Sequence, residues 1–254
     1  MDLGLKGKVA LVTGAGSQIG FGKQIALLLA NEGCDAVVVT DIIDDVNLTA
    51  EEIKKTGKKS LAVKGDITNK DSVQSLVKQA VDAFGKIDIL CNVAGGIANR
   101  VAFDQAKPED WDKDFHLNLT SILLTTQAVL PYMQKQKSGA IVNIGSGSTR
   151  MYGHGVGNSY AISKAGVDTL TKQTAFNEAK NGIRCNCVAP GPAPTNFIPG
   201  PDKKGIIDML AKTIPLGRGA TQMDIANATL FFASEMSSYV TGAILHVSGG
   251  SVLD

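Results

Sequence analysis

The alternation of short β-branched runs with helical patterns constrains this chain more than any other feature. Residues 9–13, 36–40, 60–63, 87–91, 140–144, 183–188 and 243–247 read as strands. Amphipathic stretches at 23–32, 71–84, 111–135, 160–180 and 223–234 fall between them. This βαβ order calls for parallel strands, and right-handed crossovers then spread the helices over both faces of the sheet. The early runs Val-Ala-Leu-Val-Thr and Ala-Val-Val-Val-Thr are almost wholly apolar, as strands covered on both sides must be. Neither a composition break nor a low-complexity linker divides the 254 residues, so a single domain over 1–254 is expected.

The expected fold class is therefore α/β, a Rossmann-type doubly wound parallel sheet of seven strands. Its first strand runs into Gly14-Ala-Gly-Ser-Gln-Ile-Gly-Phe-Gly22 and then into a helix. Glycines let the backbone approach a pyrophosphate, and a helix N-terminus supplies N–H groups and a positive dipole end. The general G-x-G-x-x-G spacing is not kept, because counting from Gly14 puts Ile19 at the third glycine position. A plain glycine-rich turn is the competing reading. In favour of nucleotide binding, the second strand ends at Asp41, about 20 residues on, where a carboxylate can accept both ribose hydroxyls. The same charge repels the phosphate of NADP, and no Lys or Arg lies between Gly14 and Gly22 or just after Asp41. NAD is the expected cofactor.

A formal net charge of +1, with the signs mixed along the chain, gives no basic patch for nucleic acid and no polybasic membrane anchor. The N-terminus has no apolar signal region, which leads us to expect a cytoplasmic protein. Residues 115–134 lack formal charge but hold too many polar groups for a membrane span, and a helix buried between subunits fits better. Cys34, Cys91, Cys185 and Cys187 show no Cys-x-x-Cys spacing, so buried thiols are expected. His116, His154 and His246 are scattered, and no metal is expected.

Tyr160 and Lys164 in Asn-Ser-Tyr-Ala-Ile-Ser-Lys share one helix face. A phenol is a poor acid–base group near neutrality, but an adjacent ammonium favours the phenolate and brings its titration toward the working range. Such a tyrosine can protonate a carbonyl oxygen or take the proton of an alcohol. Alone, the pair is also what a stacked surface pair on any amphipathic helix looks like.

Thr13-Gly14, Asn92-Val-Ala-Gly95, Asn118, Ser146, Tyr160-x-x-x-Lys164 and Pro190-Gly-x-x-x-Thr195 occur in order. They are followed by Ile214-Pro-Leu-Gly-Arg218, Tyr239-Val-Thr-Gly242 and Gly249-Gly250. With this set the chain resembles the classical short-chain dehydrogenases/reductases from end to end. The resemblance implies a catalytic tetrad of Asn118, Ser146, Tyr160 and Lys164. Tyr160 would be the general acid–base, Lys164 would hold the nicotinamide ribose and lower the phenol pKa, Ser146 would bind the substrate oxygen, and Asn118 would anchor a water. It also implies a cofactor site made by Gly14, Ser17, Gln18, Ile19, Gly20, Asp41, Asp66, Ile67, Asn92, Ala94, Gly95, Tyr160, Lys164, Pro190, Gly191, Ala193 and Thr195. Asp66 would meet the adenine and Thr195 the nicotinamide amide.

Three departures accompany the match. The glycine turn is two residues longer than the usual Thr-Gly-x3-Gly-x-Gly, placing an enlargement at Ser17 and Gln18. Val93 replaces the usual second asparagine, and Ser148 competes with Ser146 as the catalytic serine. Neighbours of the motifs, Gly96, Ile97, Arg150, Met151, Tyr152, His154, Val156 and Phe197, are the expected substrate pocket. The segment 190–215, with six prolines and a short helix near 206–212, reads as a lid. The resulting expectation is an NAD-dependent enzyme for a secondary alcohol or ketone, assembled as a homotetramer or dimer. A 3-oxoacyl thioester reductase and a catalytically silent nucleotide sensor are the alternatives.

Overall fold

The computed structural model describes residues 2–98, 100–151 and 157–253. Its centre is one parallel sheet of seven strands in the order β3-β2-β1-β4-β5-β6-β7. The strands are β1 (Val9–Thr13), β2 (Ala36–Asp41), β3 (Lys59–Lys64), β4 (Ile89–Asn92), β5 (Gly139–Ile144), β6 (Ile183–Pro190) and β7 (Ile244–Val247). β1 is fully buried and pairs in register with β2 from Val9↔Ala36 to Thr13↔Thr40. On the other side β1 pairs with β4, so the direction of winding reverses between them, and in such sheets ligands bind beyond the carboxyl ends of the strands at that reversal.

The helices are α1 (Phe21–Asn31), α2 (Val46–Lys55), α3 (Lys70–Phe84), α4 (Pro108–Phe115), α5 (Ser121–Gln136), α6 (Asn158–Glu178), α7 (Lys203–Ala211) and α8 (Gln222–Ala233). One face of the sheet packs Val12, Val39 and Val142 against Ile25, Leu29, Ile225 and Phe232 of α1 and α8. On the opposite face, Leu11, Val38 and Ile141 meet Leu76 and Val77 of α3 and Val129 and Met133 of α5. All seven expected strands are present, within two residues at their starts and ends.

Two features depart from the expected helices. The single helix read over 111–135 is two, α4 and α5, joined by a π-turn at His116–Thr120. There Asn118 is fully buried, and its amide donates to the carbonyls of Asp114 and Gly96, both at 2.9 Å, which holds the widened turn in place. α2 was not read from the sequence. It begins without a side-chain cap at Asp45, and the exposed Leu48 interrupts the apolar face of Val46, Ala50 and Ile53.

Buried asparagines fasten the carboxyl ends of β4 and β5. Asn92 Nδ2 donates to Asn143 Oδ1 at 2.9 Å, and Asn92 Oδ1 accepts from Thr125 Oγ1 at 2.7 Å. Asn143 Nδ2 continues the chain to Thr171 Oγ1 of α6 at 3.0 Å. These bonds tie two central strands to α5 and α6 directly beneath the loops that carry the site. The four cysteines are buried and unpaired, and burial raises their thiol pKa values, Cys34 and Cys185 to about 12.

Candidate active site

The glycine turn after β1 is shaped by close approach. Gly14 has φ +67°, and a Cβ there would come within 2.7 Å of the Ala94 backbone. Thr13 Oγ1 accepts from the N–H groups of Val93 and Ala94 at 2.9 and 3.1 Å, locking the loop after β4 onto the loop after β1. The N-terminus of α1 has no side-chain cap and no acidic residue in its first turn. Its N–H groups are thus available in the manner of a phosphate site. The two additional residues form a turn closed by Gly20 N–H to the Ser17 carbonyl at 2.9 Å. Gln18 secures that turn by donating to the carbonyls of Gly16 and Asp45, while accepting from Lys23 Nζ at 2.7 Å.

Asp41 closes the far side of this turn. Its Oδ2 accepts from Gly16 N–H at 2.8 Å and its Oδ1 from Ile42 N–H at 2.8 Å. A carboxylate has about four acceptor positions, so capacity remains for ribose hydroxyls. Lys64, not considered from the sequence, stands in register with Asp41 on β3, but its Nζ is held by Asp44 at 2.9 Å. Asp66 lies at the surface with Oδ1 accepting from Thr68, and Ile67 behind it is buried. The side chain of Asn92 is consumed by the core network described above, so Asn92 can serve the cleft only through its backbone.

The acid–base residues converge at the ends of β4 and β5. A Cβ on Gly95 would sit 2.8 Å from Asn118 Oδ1 and 3.2 Å from Lys164 Nζ, which shows how tightly these three groups meet. Lys164 is buried on α6 and donates to the Ile144 carbonyl at 2.7 Å. Burial draws its ammonium down to about 8, opposed by Cys187 and Asp168. Tyr160 is also buried. Desolvation pushes its phenol up to about 12, against a hydrogen bond with Ser146 and the charge of Arg100, which pull it down, and with Asp114 adding to the rise.

The expectation that Lys164 brings this phenol toward neutrality is not met. The ammonium lies 6.0 Å from the Tyr160 ring and is turned to a backbone carbonyl, while burial dominates the phenol. The Ser146 hydroxyl draws the phenol down from its raised value, and the Ser148 hydroxyl lies 2.9 Å from that of Ser146.

At the end of β6, Pro190 leads into Gly191, whose N–H is bonded to the Val247 carbonyl at 2.9 Å. Ala193 and Thr195 are buried, and Thr195 Oγ1 accepts from Phe197 N–H at 3.3 Å. This segment is pinned to the glycine turn from two sides. Asn196 Nδ2 donates to Ser17 Oγ at 3.0 Å, and Gln222 Nε2 bridges the carbonyls of Ile19 and Pro194 at 3.0 and 3.1 Å. The short helix expected at 206–212 is α7, Lys203–Ala211.

Of the expected substrate-pocket residues, Tyr152, His154 and Val156 lie outside the described residues. Gly96 is bonded to Asn118 on both its N–H and carbonyl sides, and Ile97 and Met151 are half-buried. Phe197 packs on the Tyr160 ring with centroids 5.1 Å apart. The charge of Arg150 draws down the Asp168 carboxyl, and the cation that draws down the phenol is Arg100, which the sequence reading missed. Asp114 was missed as well. It is fully buried, accepting from Ala98 N–H at 2.7 Å and from Ser159 Oγ at 2.5 Å, and so links the loop after β4 to the residue preceding Tyr160. Among the described residues no cluster of His, Cys, Asp or Glu could hold a metal ion, and no helix is long and apolar enough to cross a membrane.

A family model described as enoyl-(acyl carrier protein) reductase matches residues 14–251. The chain is 40% identical to the (2S)-[(R)-hydroxy(phenyl)methyl]succinyl-CoA dehydrogenase subunit of Thauera aromatica, over 99% of both chains. It is 39% identical to a 3-oxoacyl-[acyl-carrier-protein] reductase of Thermotoga maritima, covering 98% of this chain and 99% of that one. Among solved structures, a 7α-hydroxysteroid dehydrogenase complexed with NADH and 7-oxoglycochenodeoxycholic acid superposes with a TM-score of 0.89 at 36% identity, over 100% of this chain and 97% of the other.

Proposed function

The chain belongs to the classical short-chain dehydrogenases/reductases and is an oxidoreductase of the kind that works with a nicotinamide cofactor; from that premise we propose that it moves a hydride between NAD(H) and a secondary alcohol or ketone, with Tyr160 carrying the proton. The observation that carries this reading is the meeting of Tyr160, Ser146, Lys164 and Asn118 beside the glycine turn. The nicotinamide, when bound, supplies the site that accepts or gives up the hydride. In the oxidative direction Tyr160 takes the hydroxyl proton while the carbinol hydrogen departs with its electron pair. In the reductive direction the phenol returns that proton to the carbonyl oxygen.

Ser146 donates to the same oxygen and steadies the charge that develops on it. Lys164 would offer its ammonium to the ribose hydroxyls, and Asn118 would anchor a water that connects Lys164 to solvent. Asp41 takes the adenine ribose and disfavours a 2′-phosphate, which supports NAD over NADP. Asp66, Ile67, the backbone from Asn92 to Gly95, and the run from Pro190 to Thr195 complete the cofactor wall.

The spacing Tyr160-x-x-x-Lys164 favours carbonyl–alcohol chemistry over enoyl reduction, although the matching family model bears an enoyl reductase description. A 3-oxoacyl thioester reductase is the second reading, supported by the identity to the Thermotoga maritima enzyme. A panel of secondary alcohols and ketones assayed with NAD(H) and NADP(H) tests the proposal. Tyr160→Phe should lower kcat by at least about 1000-fold while NADH affinity stays within about 3-fold. In the same assay Ser146→Ala should lose more activity than Ser148→Ala. A Tyr160→Phe enzyme of near-normal rate sinks the mechanism.

A further inference from the structure

Asp114 is a buried acid that the tetrad chemistry does not use. It stands on α4, one helical turn before Asn118, and its side chain is wholly removed from solvent. Its Oδ1 accepts from Ala98 N–H at 2.7 Å and its Oδ2 from Ser159 Oγ at 2.5 Å. Neither donor is a cation, so the negative charge is held by two hydrogen bonds without being cancelled. Its backbone carbonyl accepts from Asn118 Nδ2 at 2.9 Å. One residue thus fastens the loop after β4, the buried Asn118 and the residue preceding Tyr160. A position that had only to fill this space could hold an apolar side chain, because burying a carboxylate carries a desolvation cost that burying a methyl group does not.

The groups that face Tyr160 come from five places. Ser146, from the turn after β5, and Arg100, from the segment after β4, draw the phenol down, whereas Asp114 on α4 adds to the rise that burial produces. Lys164 Nζ lies 6.0 Å from the ring on the same helix, and Phe197, beyond β6, meets the ring with an uncharged side chain. A negative charge beside a phenol favours the protonated form, and it acts more strongly in a buried site than in water.

Resting on the dehydrogenase reading above, we propose that Asp114 is a positioning residue: through Ser159 it fixes the start of α6, which carries Tyr160, and its uncancelled charge holds the phenol in its proton-donating form. The enzyme is thereby set for carbonyl reduction, and it oxidises alcohols faster as the pH rises and the phenolate forms. Neutralising Asp114 while keeping its shape releases the phenolate at lower pH. Removing the Ser159 hydroxyl loosens the tether and leaves the charge in place.

The NAD-loaded enzyme is assayed on the secondary alcohols of the panel above, and kcat/KM is followed from about pH 6 to about pH 10. Asp114→Asn, isosteric and uncharged, should move the midpoint of the rise down by at least about 0.5 pH unit, and Asp114→Thr should move it in the same direction. Ser159→Ala should lower kcat by at least about 5-fold with its midpoint within about 0.2 unit of the wild type. Loss of a merely structural bond lowers the rate at every pH and displaces nothing.

An unmoved midpoint in the uncharged variants, whatever their rates, overturns the proposal. So does a Ser159→Ala enzyme with unchanged kcat, or with the displacement expected of Asp114→Asn. These outcomes leave the dehydrogenase reading standing. Absence of turnover across the panel with either nicotinamide brings that reading down, and phenolate absorbance of the NAD-loaded protein, taken as the difference from its Tyr160→Phe counterpart, then judges Asp114 alone. The phenolate band should appear at lower pH in Asp114→Asn than in the wild type, and its appearance at the same pH overturns the proposal.

Discussion

Burial of Lys164 lowers its ammonium from 10.5 to about 8, against the opposing pull of Cys187 and Asp168. Without cofactor, the unfolded chain therefore binds more protons than the folded one between about pH 8 and about pH 10.5, and stability attributable to this residue rises with pH across that window. Below about pH 8 the penalty is present in full. Lys164→Met should accordingly stabilise the cofactor-free protein at pH 7 by about 1–3 kcal/mol, after allowing for the lost bond to Ile144, while abolishing activity. Urea unfolding at pH 7 and pH 10 checks this, since the gain should fade at the higher pH; a variant less stable than wild type at both values contradicts it. Tyr160 has the opposite sign, because its raised pKa removes stability as pH climbs from 10 toward about 12. Tyr160, Lys164 and Ser146 could be singled out in the sequence because the proposed chemistry needs those side chains at those spacings. The sequence hid Arg100 and Asp114, whose importance arises only when the loop after β4 folds back toward Phe197 and Ser159.

The glycine turn is the element where spacing alone was least informative, since two additional residues break the usual pattern. The structure resolves this physically: Ser17 and Gln18 form a closed turn of their own, and Gln18 fastens it to α2, an element whose weak apolar pattern left it unread. What remained readable was the strand end at Asp41. Ile42 beside it is 63% exposed, so a larger basic side chain can be placed there without disturbing the core. Asp41→Ser combined with Ile42→Arg should shift the NADP-to-NAD ratio of kcat/KM upward by at least about 10-fold, by removing repulsion and adding a phosphate partner. A wild-type enzyme that already prefers NADPH contradicts the role given to Asp41.

The segment 190–215 is a second element with a testable role, and we propose that it covers the substrate. Its contacts through Asn196, Phe197 and Pro194 reach both the glycine turn and Tyr160, yet α7 buries only Ile207 and leaves Met209 60% exposed. Hydrogen exchange across this segment should slow when NAD and a substrate-like inhibitor are both bound. Identical protection with and without them rules out closure.

At the scale of the whole molecule, a sheet of seven parallel strands with helices on both faces was legible because strands covered on both faces must be apolar throughout and right-handed crossovers spread the helices over both sides. The division of 111–135 was not legible, since a π-turn leaves no mark on hydrophobic periodicity; it is set by the buried bonds of Asn118. Several apolar side chains remain outside this monomer, among them Phe176 at 84% and Ile162 at 43% exposure on α6 and Leu123 at 38% on α5. We propose that α5 and α6 pair across two-fold axes in a homotetramer. Light scattering at micromolar concentration should give four times the chain mass, and a monomer would refute this.

The buried charge of Lys164 has a further consequence for the protein as an object in a cell. If Lys164 holds the nicotinamide ribose as proposed, a dinucleotide that binds only the folded state adds to stability by mass action. The fraction of molecules open to proteases then falls as the coenzyme pool rises, so the lifetime of the protein becomes a readout of how much dinucleotide surrounds it.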